Sequence, residues 1–135
     1  MGTNHADVLS AAEEAVLQAS LVCRHVQREL DRVRAITKDD KSPVTVADFA
    51  SQAVVARALR ARLGDVALVG EESSSFLRDP AHAPHLDAAV RAARTVWPDV
   101  SPAALLEAID HGNVREVPAS RTFWTLDPVD GTKGF

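Results

Sequence analysis

Arg121-Thr122-Phe123-Trp124-Thr125-Leu126-Asp127-Pro128-Val129-Asp130-Gly131-Thr132-Lys133-Gly134 runs from a strand into an acidic turn. Its first six residues are rich in aromatic and β-branched types, which predicts a strand. Two carboxylates, Asp127 and Asp130, follow three residues apart. Pro128 stiffens the turn between them, and Gly131 lets the backbone approach something bound. A strand ending in acids, then a glycine and a hydroxyl, is a place to hold metal ions and a phosphate.

Working back from that turn, two earlier segments carry acids at comparable places. Asp65-Val66-Ala67-Leu68-Val69-Gly70 reads as a buried strand, and Glu71-Glu72-Ser73 follows it. Val44-Thr45-Val46 reads as a short β-prone segment, with Asp48 at the N-cap of a helix that runs to about Leu63 and stops at Gly64. Alone, Asp48 is a cap and Glu71-Glu72 a solvated turn. Together with the Asp127 turn they make one all-oxygen cluster. Like charges ~4 Å apart repel by about 4 kcal/mol at an effective dielectric near 20, so such a cluster calls for a cation. With no histidine or cysteine motif beside it, hard ions such as Mg²⁺ suit it.

The remaining elements are mostly helical. Leu9, Ala12, Val16, Ala19, Cys23, Val26, Leu30 and Val33 form an apolar stripe that predicts a helix over 5–33. A polar loop covers 37–43, and residues 76–84 form a second loop containing Pro80 and Pro84. The spacing of Leu86, Val90, Ala93 and Trp97 predicts a helix over 86–96. Ser101-Pro102 starts another helix that ends before Gly112. The order α, β, α, β, α, α, β predicts a layered α/β domain.

Composition narrows the function classes. The 135 residues include 15 basic and 19 acidic ones, a net charge of −4, which excludes a general nucleic-acid footprint. Arg57, Arg60 and Arg62 read as a solvated helix face. A single cysteine, Cys23, allows no internal disulfide, and its place on the stripe marks it as a buried, inert thiol. The N-terminus has no signal-peptide pattern and the chain no ~20-residue apolar run, so a cytoplasmic protein is expected, with an organelle left open. His82 and His85 lie in a proline-flanked loop and read as surface residues.

These segments resemble the lithium-sensitive, Mg²⁺-dependent phosphatase superfamily that includes inositol monophosphatase and fructose-1,6-bisphosphatase. The resemblance rests on Val44-Thr45-Val46-Ala47-Asp48, Gly70-Glu71-Glu72 and Asp127-Pro128-Val129-Asp130-Gly131-Thr132. Within it, Lys41-Ser42-Pro43, Trp124 and Lys133-Gly134-Phe135 are similar to the 3′(2′),5′-bisphosphate nucleotidase branch. The resemblance implies an α/β sandwich of inositol-monophosphatase type and removal of the 3′-phosphate from adenosine 3′,5′-bisphosphate. Related substrates would be 3′-phosphoadenylyl sulfate or inositol polyphosphates, in a setting of sulfur metabolism. It implies two or more Mg²⁺ ions held by Glu71, Asp127, Asp130 and the Val129 carbonyl. Asp48 and Thr132 would position and deprotonate the attacking water. The Gly131 and Thr132 amides would meet the phosphate, and Glu72 would stand one layer behind the ligands.

Two departures qualify the likeness. Residues 113–120 lack the glycine-rich character usual before the Arg-x-Trp strand. Family members are also more than twice as long, so residues 1–135 are expected to be the N-terminal portion of one phosphatase domain, inactive alone. The absent part would carry a further metal-binding Asp and the nucleoside pocket. Two other readings stand beside this one: an inositol-monophosphatase-type enzyme, and a non-catalytic interaction fragment. A haloacid-dehalogenase-type phosphatase is disfavoured, because Pro128 occupies its nucleophile position.

Overall fold

The computed structural model describes residues 4–29, 42–119 and 121–129. Helix α1 (His5–Arg28) starts at Asn4, whose side chain accepts from the Asp7 N–H. Helix α2 spans Ser42–Leu63. Strand β1 (Leu68–Gly70) follows, then the short helix α3 (Ser75–Arg78) and a 3₁₀ turn (Pro80–His82). Helices α4 (Ala83–Ala93) and α5 (Pro102–His111) lead to strand β2 (Trp124–Leu126).

Helix α2 is the centre of the molecule. Val46, Ala47, Phe49, Ala50, Ala53, Val54, Ala56 and Leu59 are all buried on it, at several angles around its axis. A helix apolar all round needs neighbours on more than one side. Its N-terminal half packs with Val22 and Val26 of α1 and with α4 and α5. Its C-terminal half packs with Ala11 and Ala15 of α1 and with Leu68. The two long helices therefore run antiparallel, and the small alanines between them permit a close approach. Gly64, at φ +79°, ends α2 in the left-handed conformation that favours glycine, with its N–H on the Arg60 carbonyl.

Strands β1 and β2 pair in parallel, with Leu68 opposite Trp124 and Gly70 opposite Leu126. On the other side of β1, Val69 bridges Asn113 and the Val114 N–H donates to the Leu68 carbonyl. Among the described residues the architecture is thus mostly helical with a small parallel sheet, rather than the evenly layered α/β domain expected.

Three expectations need correction. Val44-Thr45-Val46 is not a strand, and Asp48 is not a helix cap: both lie inside α2. Burial of Val46 and Ala47 in the core outweighs the β preference of the valines. The stripe on α1 is displaced, since Ala11, Ala15, Val22 and Val26 are buried while Leu9 and Val16 are 60% and 62% exposed. With Leu17 60% and Leu21 41% exposed, these two form a second apolar flank, and the alanine side is the one that meets α2. Leu30 and Val33 lie outside the described residues. Residues 76–84, expected as a loop, hold α3, the 3₁₀ turn and the start of α4.

Helix α5 agrees with expectation: the Ser101 hydroxyl accepts from the Ala104 N–H, Pro102 takes the first turn and Gly112 closes it. Cys23 is half-buried, its Sγ 3.3 Å from the Ser51 Oγ. His82 stacks on Phe76 at 3.7 Å between ring centres. Of the expected solvated arginines, Arg62 bonds Glu14 and Ser10 of α1, Arg60 lies 3.8 Å from Asp65, and Arg57 lies over the Trp97 ring. No described helix is long and apolar enough to cross a membrane.

Candidate functional site

Parallel pairing puts the C-terminal ends of β1 and β2 at one edge, where ligands of open parallel sheets collect. The register Gly70↔Leu126 makes the next residues, Glu71 and Asp127, neighbours on strands ~4.8 Å apart. Glu72 follows Glu71, and Asp48 faces them from α2. The acids feel one another. The Asp48 carboxyl is pushed from 3.8 up to about 7, first by burial and then by the charges of Glu72, Glu71 and Asp127. A hydrogen bond from the Val129 backbone opposes part of that rise. Glu72 is also raised, by burial and by Glu71 and Asp127. Beside the Asp127 turn, a cleft of about 530 Å³ opens against α1, lined by Cys23, Arg24, Leu126, Asp127, Pro128 and Val129 among others.

The structure therefore brings Asp48, Glu71, Glu72 and Asp127 to one face. Among the described residues, no three acids, histidines or cysteines are drawn in closely enough to hold an ion. Asp130, Gly131 and Thr132 lie outside the described residues. The Val129 N–H serves Asp48. The donor chemistry fits Mg²⁺: the groups are carboxylates, they are mutually repelling, and a divalent ion would lower the proton affinity of each.

Two polar side chains fasten the Glu71-Glu72 loop, and sequence reading passed over both. Gln52 is fully buried and hydrogen-bonds both sides of the Glu72 backbone. Asp110, at the end of α5, accepts from the Ser74 N–H at 2.9 Å, from the Ser74 hydroxyl at 2.7 Å and from Arg78 at 3.3 Å. Burial pushes the Asp110 carboxyl up, but these bonds outweigh it and hold it below the usual carboxylate range. Gln52 had a readable signal: one turn after Asp48, it is the largest polar side chain in a run whose other members are apolar apart from Ser51. Asp110 had none, because only the fold brings it to Ser74.

A parallel strand pair thus ends in acids, with a further acid facing it from a buried helix. The chain matches the inositol monophosphatase family over residues 4–135 and belongs to it. Among its relatives are proteins named 3′(2′),5′-bisphosphate nucleotidase 1 from Arabidopsis thaliana, 39% identical over 137 residues, and from Candida albicans, 36% identical over 139. Each alignment covers 94% of this chain and 38% of the relative. A 3′(2′),5′-bisphosphate nucleotidase from Oryza sativa is 35% identical, covering 99% of this chain and 40% of the relative. The chain thus spans about two fifths of the length of these curated relatives.

Proposed function

We propose that this chain is the N-terminal portion of a Mg²⁺-dependent phosphatase that removes the 3′-phosphate from adenosine 3′,5′-bisphosphate. 3′-Phosphoadenylyl sulfate and inositol polyphosphates are further substrates of the same chemistry. One observation carries the reading: the Gly70↔Leu126 register delivers Glu71 and Asp127 side by side, facing Asp48. The names of the relatives support the nucleotidase branch.

Glu71, Asp127, Asp130 and the Val129 carbonyl would hold the cations. When bound, Mg²⁺ supplies positive charge to the phosphate oxygens and acidifies water. The chain's own residues do the rest. Asp48, which faces Glu71 and Asp127 from α2, would accept a proton from water, with Thr132 beside it, in the roles the resemblance implies. The Gly131 and Thr132 amides would orient the phosphate. Glu72 keeps the cluster negative from behind.

The test is phosphate release by the intact protein from adenosine 3′,5′-bisphosphate, against inositol monophosphate as the competing substrate, with and without Mg²⁺. Glu71→Gln and Asp127→Asn should each lower kcat/KM by about 100-fold or more, the upper range for a lost metal-site group. Equal activity in either variant, or release indifferent to Mg²⁺, refutes the proposal. Preference for inositol monophosphate moves it to the sibling branch. Residues 1–135 alone should release no phosphate.

A further inference from the structure

Gln52 lies four residues after Asp48 on α2, so both occupy one face of the helix, ~6 Å apart along its axis. It is 0% exposed. Its Nε2 donates to the Glu72 carbonyl at 2.7 Å and to the Ile109 carbonyl at 3.0 Å, and its Oε1 accepts from the Glu72 N–H at 3.0 Å. Both donors and one acceptor position of the amide are used, two of the three bonds on a single residue of the acidic loop. The space is fitted to it. A Cβ on Gly70 would sit 2.4 Å from the Gln52 Oε1, and one on Gly112 would sit 3.0 Å from its Cγ. Gly70 in turn donates its N–H to the Gly112 carbonyl at 2.7 Å and accepts from Asn113 at 3.0 Å. The loop is held at the Glu72 peptide by an uncharged group rooted one turn along α2 from Asp48.

Crowded carboxylates without a cation repel and tend to drift apart, and a loop free to do so must be gathered again at the expense of binding energy. A buried, fully engaged amide resists that drift, because breaking it free strands polar atoms out of reach of water. We infer that Gln52 is a positioning residue that keeps the Glu71-Glu72 loop gathered against Asp48 before any cation arrives, and so sets the site's affinity for a divalent ion. The inference rests on the phosphatase reading only for the site's purpose; the affinity itself is measured directly.

The experiment is calorimetric titration of the intact protein with Mg²⁺, alongside hydrogen exchange of the Glu72 amide. Gln52→Met nearly keeps the volume and removes all three bonds. It should weaken Mg²⁺ binding about 10–100-fold, as changes behind metal ligands do. It should also speed Glu72 exchange, and leave the rate at saturating Mg²⁺ within about fivefold of wild type, by the same reasoning that the ligands themselves remain. If Gln52→Met does not fold, Gln52→Asn, uncharged and one methylene too short to keep these bonds, should show the same weakening. A lower thermal midpoint with Mg²⁺ affinity unchanged overturns the role, as does a wild type that binds no Mg²⁺. Wild type that binds Mg²⁺ yet releases no phosphate refutes the enzymatic reading and leaves the Gln52 comparison intact.

Discussion

Replacing Asp48 with asparagine should make the metal-free protein more stable, and more so as pH rises. The Asp48 carboxyl titrates at about 7 in the folded chain against 3.8 for an unperturbed group. A raised acid binds an extra proton in the folded state between those two values. Its contribution to stability is therefore complete below about pH 3.8 and is lost as pH climbs through about 7. At 1.36 kcal/mol per unit, the whole gap corresponds to about 4 kcal/mol. The side chain is only half-buried, so solvent screening reduces this to about 2 kcal/mol. Asparagine has nearly the same shape and no titration. In urea unfolding with a chelator present, Asp48→Asn should exceed wild type by about 2 kcal/mol near pH 8, with a difference shrinking toward zero near pH 3.5. In thermal melts the alkaline difference is about 6 °C for a domain of this size. Added Mg²⁺ should narrow it, because a cation among these carboxylates offsets the repulsion that disfavours ionised Asp48. A difference independent of pH, or a wild type more stable than the variant near pH 8, would refute the reasoning.

Other substitutions probe the supports of the site. Gly70→Ala places a methyl group 2.4 Å from both the Gln52 Oε1 and the Gly112 carbonyl, so it should destabilise by at least ~2 kcal/mol in urea unfolding. Asp110→Ala removes the acceptor for both the N–H and the O–H of buried Ser74, whose hydroxyl keeps only the bond it accepts from Arg78, and should cost about 1–3 kcal/mol near neutrality. Because the Asp110 carboxyl is held low, that difference should persist above its ordinary value of 3.8 and fade as pH falls below it, which a pH series of melts would show. Leu105→Ala empties a fully buried position between α5 and α2 and should cost about 2–5 kcal/mol.

Where local chemistry fixes the backbone, the sequence could be read directly. Ser101-Pro102 with Gly112 bounds α5 almost to the residue, Gly64 stops α2, and the β-rich run before Asp127 becomes β2. The run Val44-Thr45-Val46 misled because strand preference is weaker than the burial of Val46 in the core shared with α1 and α4. Helix α1 misled because it is apolar on two sides, so periodicity could not say which side meets α2. The places of Glu71 and Asp127 after β1 and β2 could be read from the strand patterns, that of Asp48 inside α2 could not, and the bonds of Gln52 and Asp110 to the loop span 20 and 36 residues of chain and exist only once the helices have packed.

The second apolar flank of α1 has a practical outcome. Leu9, Val16, Leu17 and Leu21 turn a row of hydrocarbon toward water on the longest helix. Any preparation of these residues by themselves offers a sticky ridge to its own copies, to dyes and to vessel walls. Yield and shelf life will then follow how that ridge is masked as much as how well the core is packed.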